Sequence, residues 1–149
     1  MKLPRTPSFR LDGLKALITG GSRGIGLGGA VALAEAGASV FIAARSANEV
    51  KAAAASLRAE GWDATGVPLD VTDTEAVRQV ITEHGPFDIL FNNAGTNKPG
   101  PYDAVSAEDF DLVQNLNVKA AFFVAQEVSK ALIAAGKPGS IIHISSQMG

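Results

Sequence analysis

The stretch "TGGSRGIGLGG", residues 19–29, decides the fold. It follows "KALIT" (15–19), which reads as a β-strand, and opens a run that reads as a helix. Two glycine registers compete. A G-x-G-x-x-G pattern fits Gly24, Gly26 and Gly29, and a T-G-x-x-x-G-x-G pattern fits Thr19, Gly20, Gly24 and Gly26. A phosphate-binding turn sets its first glycine directly after the strand. Gly24 comes too late for that turn and Gly20 is immediate, so the second register is adopted. In either register glycines let the backbone approach a pyrophosphate, and free N–H groups at a helix start attract its charge. A purely structural glycine turn would look similar, but the strand–turn–helix setting favours a nucleotide. Gly20, Ser22, Arg23, Gly24, Ile25 and Gly26 are the candidate contacts. A P-loop is excluded, because no lysine occurs between Lys15 and Lys51. A methyl-donor site usually has an acid just before its glycines, where this chain has Thr19.

Outward from this turn, short apolar runs alternate with longer helical ones. Strands are expected over 15–19, "SVFIAA" (39–44), "DATGVPL" (63–69), "FDILFN" (87–92) and "SIIHIS" (140–145). Their continuous apolarity suits strands covered on both faces, hence a parallel sheet. Ser46 with Glu49, Thr72 with Glu75, and Ser106 with Asp109 have capping-box spacing. Gly37, Gly61, Gly85 and Gly136 are placed to end four helices in the left-handed conformation, with Pro86 and Pro138 as further stops. The βαβ repetition predicts an α/β fold, a Rossmann-type doubly wound parallel sheet with helices on both faces.

At 149 residues the chain suffices for one domain with a substantial core. A tail is expected over 1–10 and a dinucleotide-binding domain over 11–149. The net charge of -2 argues against nucleic acid or an anionic membrane as partner. Without cysteine there is no disulfide framework and no thiolate metal site, and no metal is expected. No secretory signal or membrane-spanning run is read, so a cytoplasmic protein is expected.

The second strand ends at Ala43, Ala44 and Arg45. A carboxylate there would hold the adenosine ribose hydroxyls of NAD, whereas an arginine suits a 2′-phosphate. Arg45, with Arg23 and Ser46 nearby, therefore points to NADP(H). Asp70, followed by Val71, is either an adenine-binding acid or a turn residue. Asn92, Asn93, Ala94 and Gly95 end the fourth strand, where the amides can bridge loops or a ribose and the small residues leave room for a flat ligand. A single helix is expected over about 107–135, with Phe110, Val113, Asn117, Ala120, Ala121, Val124 and Val128 on one face. Asn117 interrupts that apolar face, so it is either a structural amide or part of an active-site relay. The last strand delivers Ser145 and Ser146 to the rim where doubly wound sheets bind ligands. Gly28 and Gly29 weaken the first helix, and the expectation is that they permit close packing on the sheet.

Taken together, these motifs resemble the classical short-chain dehydrogenases/reductases from about Leu11 to the end. Residues 19–26 are similar to the family's TGxxxGxG cofactor loop, Asp70 to its adenine-binding acid, and residues 92–95 to its NNAG motif. Asn117 and Ser146 match the asparagine and serine of its catalytic tetrad. The resemblance implies strand order 3-2-1-4-5 and a homodimer or homotetramer. It also implies hydride transfer between a nicotinamide, here that of NADP(H) on the reading of Arg45, and a small-molecule carbonyl or secondary alcohol. The serine would steady the substrate oxygen, and the asparagine would position a water in a proton relay. The family's Tyr-x-x-x-Lys pair lies beyond the serine and does not occur in this sequence; Tyr102 is followed at that spacing by Ser106. The chain is therefore expected to be part of a longer enzyme and inactive by itself, with an open sheet edge and exposed apolar helix faces. The alternative is a dinucleotide-binding module without catalysis.

Overall fold

The computed structural model describes residues 7–146. Five parallel strands, β1 (Lys15–Thr19), β2 (Ser39–Ala44), β3 (Ala64–Pro68), β4 (Ile89–Asn92) and β5 (Ser140–His143), form one sheet of order β3-β2-β1-β4-β5. Three strands are shorter than their apolar runs suggest. Helices α1 (Gly24–Glu35), α2 (Ala47–Ala59) and α3 (Thr74–His84) form the first crossovers. After β4 come a 3₁₀ turn (Tyr102–Ala104), α4 (Ala107–Gln114), a π-helical segment (Asn115–Ala120) and α5 (Ala121–Ala134).

Alternation along the strands divides the core between the two faces. Ala16, Ile18, Val40 and Ile42 pack with Ala30, Ala34, Val50 and Leu57 of α1 and α2. Leu17 and Leu90 face the other way, onto Val77 and Ile81 of α3 and Val124 and Val128 of α5. Phe87 is wholly buried there, its ring edge-on to Phe41 with centroids 5.1 Å apart. The register pairs Thr19 with Ala43 and Asn92, and Asn92 with His143. The strands' carboxyl ends therefore share one rim.

Ser46 and Ser106 cap their helices through the amides of Glu49 and Asp109. The cap of α3 is Asp73, which accepts from Glu75 N and Ala76 N at 3.0 Å, and not Thr72. The Thr72 hydroxyl is committed to Asp70 instead. Gly37, Gly61 and Gly136 have positive φ, as expected of helix stops. Gly85 is extended, with φ -78°, because the ring of Pro86 disfavours helical geometry in the residue before it. The expected helix over 107–135 is not uniform: a π-helical segment separates its two α-helical parts.

The apolar faces left uncovered by the described residues include Phe110, Phe122 and Ile133 on α4 and α5, and Ile141 and Ile142 on β5. Among the described residues β5 pairs only with β4. No helix of the described residues is long and apolar enough to cross a membrane.

The two helical glycines separate on inspection. A Cβ on Gly29 would stand 2.8 Å from Cζ of Phe91, whereas one on Gly28 would meet nothing within 4 Å. Gly29 thus lets α1 settle on the sheet and Gly28 does not. Gly28→Ala should stabilise the domain by about 1 kcal/mol, and Gly29→Ala should destabilise it by about 1–3 kcal/mol through overpacking. Urea unfolding of the two variants checks both signs.

Candidate functional site

The turn after β1 is built by what glycine lacks. A Cβ on Gly26 would overlap the carbonyl oxygen of Gly20 and lie 2.6 Å from Asn93 Nδ2. Gly20 itself has φ +62° and packs against Ala94. The chain therefore reverses closely enough to start α1 at the rim. Arg23 precedes that helix in extended conformation, with no side-chain cap and no acidic residue in the first turn. The first-turn amides thus have no capping side chain, a setting suited to an anion.

Beneath the turn lies a polar network. The buried Thr19 hydroxyl donates to Asn92 Oδ1 at 3.1 Å and accepts from the amides of Asn93 (3.0 Å) and Ala94 (3.1 Å). Asn93 Nδ2 donates to the carbonyls of Thr19 and Gly20. Asn92 Nδ2 donates to the carbonyl of Ala121 at 2.8 Å. No buried side-chain polar atom among the described residues lacks a partner.

Above the network an open cleft of about 1570 Å³ runs along the rim. Its walls bring together Gly20, Ser22, Arg23, Ile25, Arg45, Ser46, Asp70, Val71, Ala94 and Gly95. Five expected site residues stand outside the walls, Ser146 among them. Gly24 and Gly26 shape the turn from behind, Asn92 is buried below the rim, and Asn117 holds the loop after β4. Asn117 Oδ1 accepts from Thr96 N and its Nδ2 donates to Thr96 O, both at 2.8 Å. The amide is exposed and paired, which the apolar spacing of its helix did not foretell. Ser145 and Ser146 follow β5 on the same rim, beyond the Ile144 N–H bond to Asn92 O.

The cleft's charges are unevenly committed. The amide and then the hydroxyl of Thr72 hold the Asp70 carboxyl below the usual aspartate range, and the charge of Arg45 adds to them. Those bonds favour the ionised form, so their contribution is lost as pH falls through the lowered pKa. The guanidinium groups of Arg23 and Arg45 make no hydrogen bond or ion pair among the described residues. Sequence reading missed Glu49 as a wall residue. Its carboxylate does not turn back to its own cap but accepts from the Ser22 hydroxyl at 2.9 Å. No group of three or more potential metal ligands occurs among the described residues.

The family model for short chain dehydrogenase matches residues 14–149, and the chain belongs to that family. Gluconate 5-dehydrogenase of Gluconobacter oxydans (strain 621H) is 42% identical over 142 residues, covering 93% of this chain and 55% of that protein. L-xylulose reductase of Mesocricetus auratus is 39% identical over 137 residues, covering 92% and 54%. A gluconate 5-dehydrogenase from Burkholderia cenocepacia J2315, solved with NADP and tartrate, superposes with TM-score 0.86 at 41% identity, covering 93% of this chain and 56% of that one. The chain thus spans about half the length of the relatives it matches.

The Thr19 hydroxyl is the network's hub, serving one acceptor and two donors. Thr19→Val keeps the shape and leaves those groups unpaired, at about 1–3 kcal/mol for each buried group stranded. Thr19→Ser should restore most of the loss. Chemical denaturation of both variants reads the difference.

Proposed function

We propose that this chain carries the NADP-binding Rossmann domain of an NADP(H)-dependent oxidoreductase, spanning residues 11–149. The single observation that carries the reading is the uncapped start of α1 beside two uncommitted guanidinium groups, Arg23 and Arg45, on one open cleft. The residues fit the cofactor. The glycine turn leaves room where a Cβ at residue 26 would block the backbone's approach. The first-turn amides of α1 suit the diphosphate, and Arg45, Arg23 and Ser46 suit a 2′-phosphate. Asp70 and Val71 would hold the adenine, with Ala94 and Gly95 beside the nicotinamide ribose. Asn92 would act from below by holding the rim. The related structure solved with NADP supports the same choice.

When bound, the nicotinamide supplies or accepts a hydride at a carbonyl or secondary-alcohol carbon. Ser146 would donate a hydrogen bond to the substrate oxygen. Asn117 would position a water: each end of its amide makes one bond to Thr96, which leaves one hydrogen and one lone pair for solvent. The relatives' names, gluconate 5-dehydrogenase and L-xylulose reductase, support a small polyhydroxylated ketone or its alcohol as substrate. They lend no support to a module without catalysis. The exposed apolar residues of α4, α5 and β5 support association into a homodimer or homotetramer. The location in this reading is the cytoplasm, and the net charge of -2 supports partners other than anionic membranes and nucleic acid.

Titration of the chain should show tighter binding of NADPH than of NADH. Arg45→Asp should lower the NADPH-to-NADH affinity ratio roughly tenfold or more, as expected for loss of a charge-assisted contact. An unchanged ratio removes Arg45 from the phosphate site. In the active enzyme Ser146→Ala should lower kcat about 100-fold with NADPH affinity intact. A parallel loss of both contradicts its role.

A further inference from the structure

Glu49 lines the same cleft as Arg23, Arg45 and Ser46, the groups read above as suited to a 2′-phosphate. Its backbone N–H donates to Ser46 Oγ at 3.3 Å, and its carboxylate Oε2 accepts from Ser22 Oγ at 2.9 Å. The second bond ties the glycine-rich loop to the first turn of α2. Ser22, Arg23, Arg45, Ser46 and Glu49 line the same cleft. Glu49 forms an ion pair with neither Arg23 nor Arg45.

These groups divide by chemistry. A ribose 2′-phosphate wants donors and positive charge, which Arg23, Arg45 and the Ser22 hydroxyl offer. A free 2′-hydroxyl wants an acceptor, which Glu49 offers. While the Ser22 hydroxyl donates to Glu49, its hydrogen is withheld from a phosphate oxygen, and a carboxylate lines the same cleft as the two guanidinium groups. Repulsion between a carboxylate and a group of charge about −1.5 to −2 opposes binding even at a wet surface. We propose that Glu49 determines specificity at the 2′ subsite. It weakens the 2′-phosphate and receives the 2′-hydroxyl, so the chain takes NADH as well as NADPH, and the Ser22–Glu49 bond opens when the phosphate enters. This inference rests on the dinucleotide reading above.

Calorimetric titration of the chain with NADPH, NADH, 2′,5′-ADP and 5′-AMP tests it, with fold checked by circular dichroism. Glu49→Gln should raise affinity for NADPH and 2′,5′-ADP by about two- to tenfold, and leave NADH and 5′-AMP unchanged or weaker. The gain should shrink with added salt. Glu49→Ala should show a larger gain with Ser22 present than in a Ser22→Ala background, because the released hydroxyl joins the phosphate. Should a Glu49 variant lose its fold, Ser22→Ala alone reads the clamp from the other side, with the NADPH-to-NADH ratio falling severalfold. Wild-type binding of NADPH with a ratio unmoved by all folded variants overturns this inference and leaves the dinucleotide reading standing. A folded wild-type chain that binds none of the four ligands overturns both.

Discussion

Residue 26 has no room for a side chain, and the rest of the rim depends on that. With a bare Cα there, the Gly20 carbonyl and the first turn of α1 approach each other directly, and Asn93 Nδ2 reaches in to bond Gly20 O. The strand can then hand the chain to a helix whose amides open onto the sheet's carboxyl edge. A side chain at this point would push α1 outward, and Gly29 could no longer rest on Phe91. One steric fact therefore joins the packing of one sheet face to the chemistry of the rim.

The network below converts that geometry into rigidity. Thr19, Asn92 and Asn93 are polar residues at strand ends, where they would ordinarily weaken a sheet. Here the bonds cross between β1 and β4, and every buried side-chain polar atom among the described residues has a partner. In a low-dielectric interior such a network holds one arrangement strongly, because breaking any member strands others. The side chains that face the cleft are different. Arg23, Arg45 and Asp70 are exposed on loops and helix starts. The scaffold is thus fixed by buried polar bonds, and the ligand-facing charges remain adjustable.

That division explains what could be read from sequence. The five strands, the sheet class and the turn register were legible because each follows from local rules: continuous apolarity, a glycine after a strand, a cap at a helix start. Local ambiguity caused the small errors. Thr72 and Asp73 both suit a helix cap, and only the tertiary position of Asp70 decides that Thr72 is occupied elsewhere. Gly85 shares the helix-ending position of the other glycines, but Pro86, read only as a further stop, also keeps the residue before it extended. Asn117 was visible as an anomaly, but its partner is a backbone 21 residues away in an irregular loop, which no periodicity encodes. The Ser22–Glu49 bond was hidden for the same reason, since capping spacing predicts a bond back to Ser46.

The π-helical segment shows how one strand can govern two sides of the site. A uniform α-helix through 107–135 would keep Phe110 and Val113 in line with Val124 and Val128 against the sheet. In the folded chain Val124 and Val128 are buried and Phe110 is 56% exposed. The wider turn at 115–120 reorients the first half of the helix. Asn117, inside the wide turn, leaves the apolar stripe and meets Thr96. Asn92 bonds the carbonyl of Ala121, where the helix resumes its α form. Asn93 meanwhile bonds the turn before α1. Two consecutive amides at the end of β4 thus hold the anion-facing turn on one side and the asparagine-bearing helix on the other. The spacing between those two sides is set by β4, independently of the exposed residues that would select the ligand.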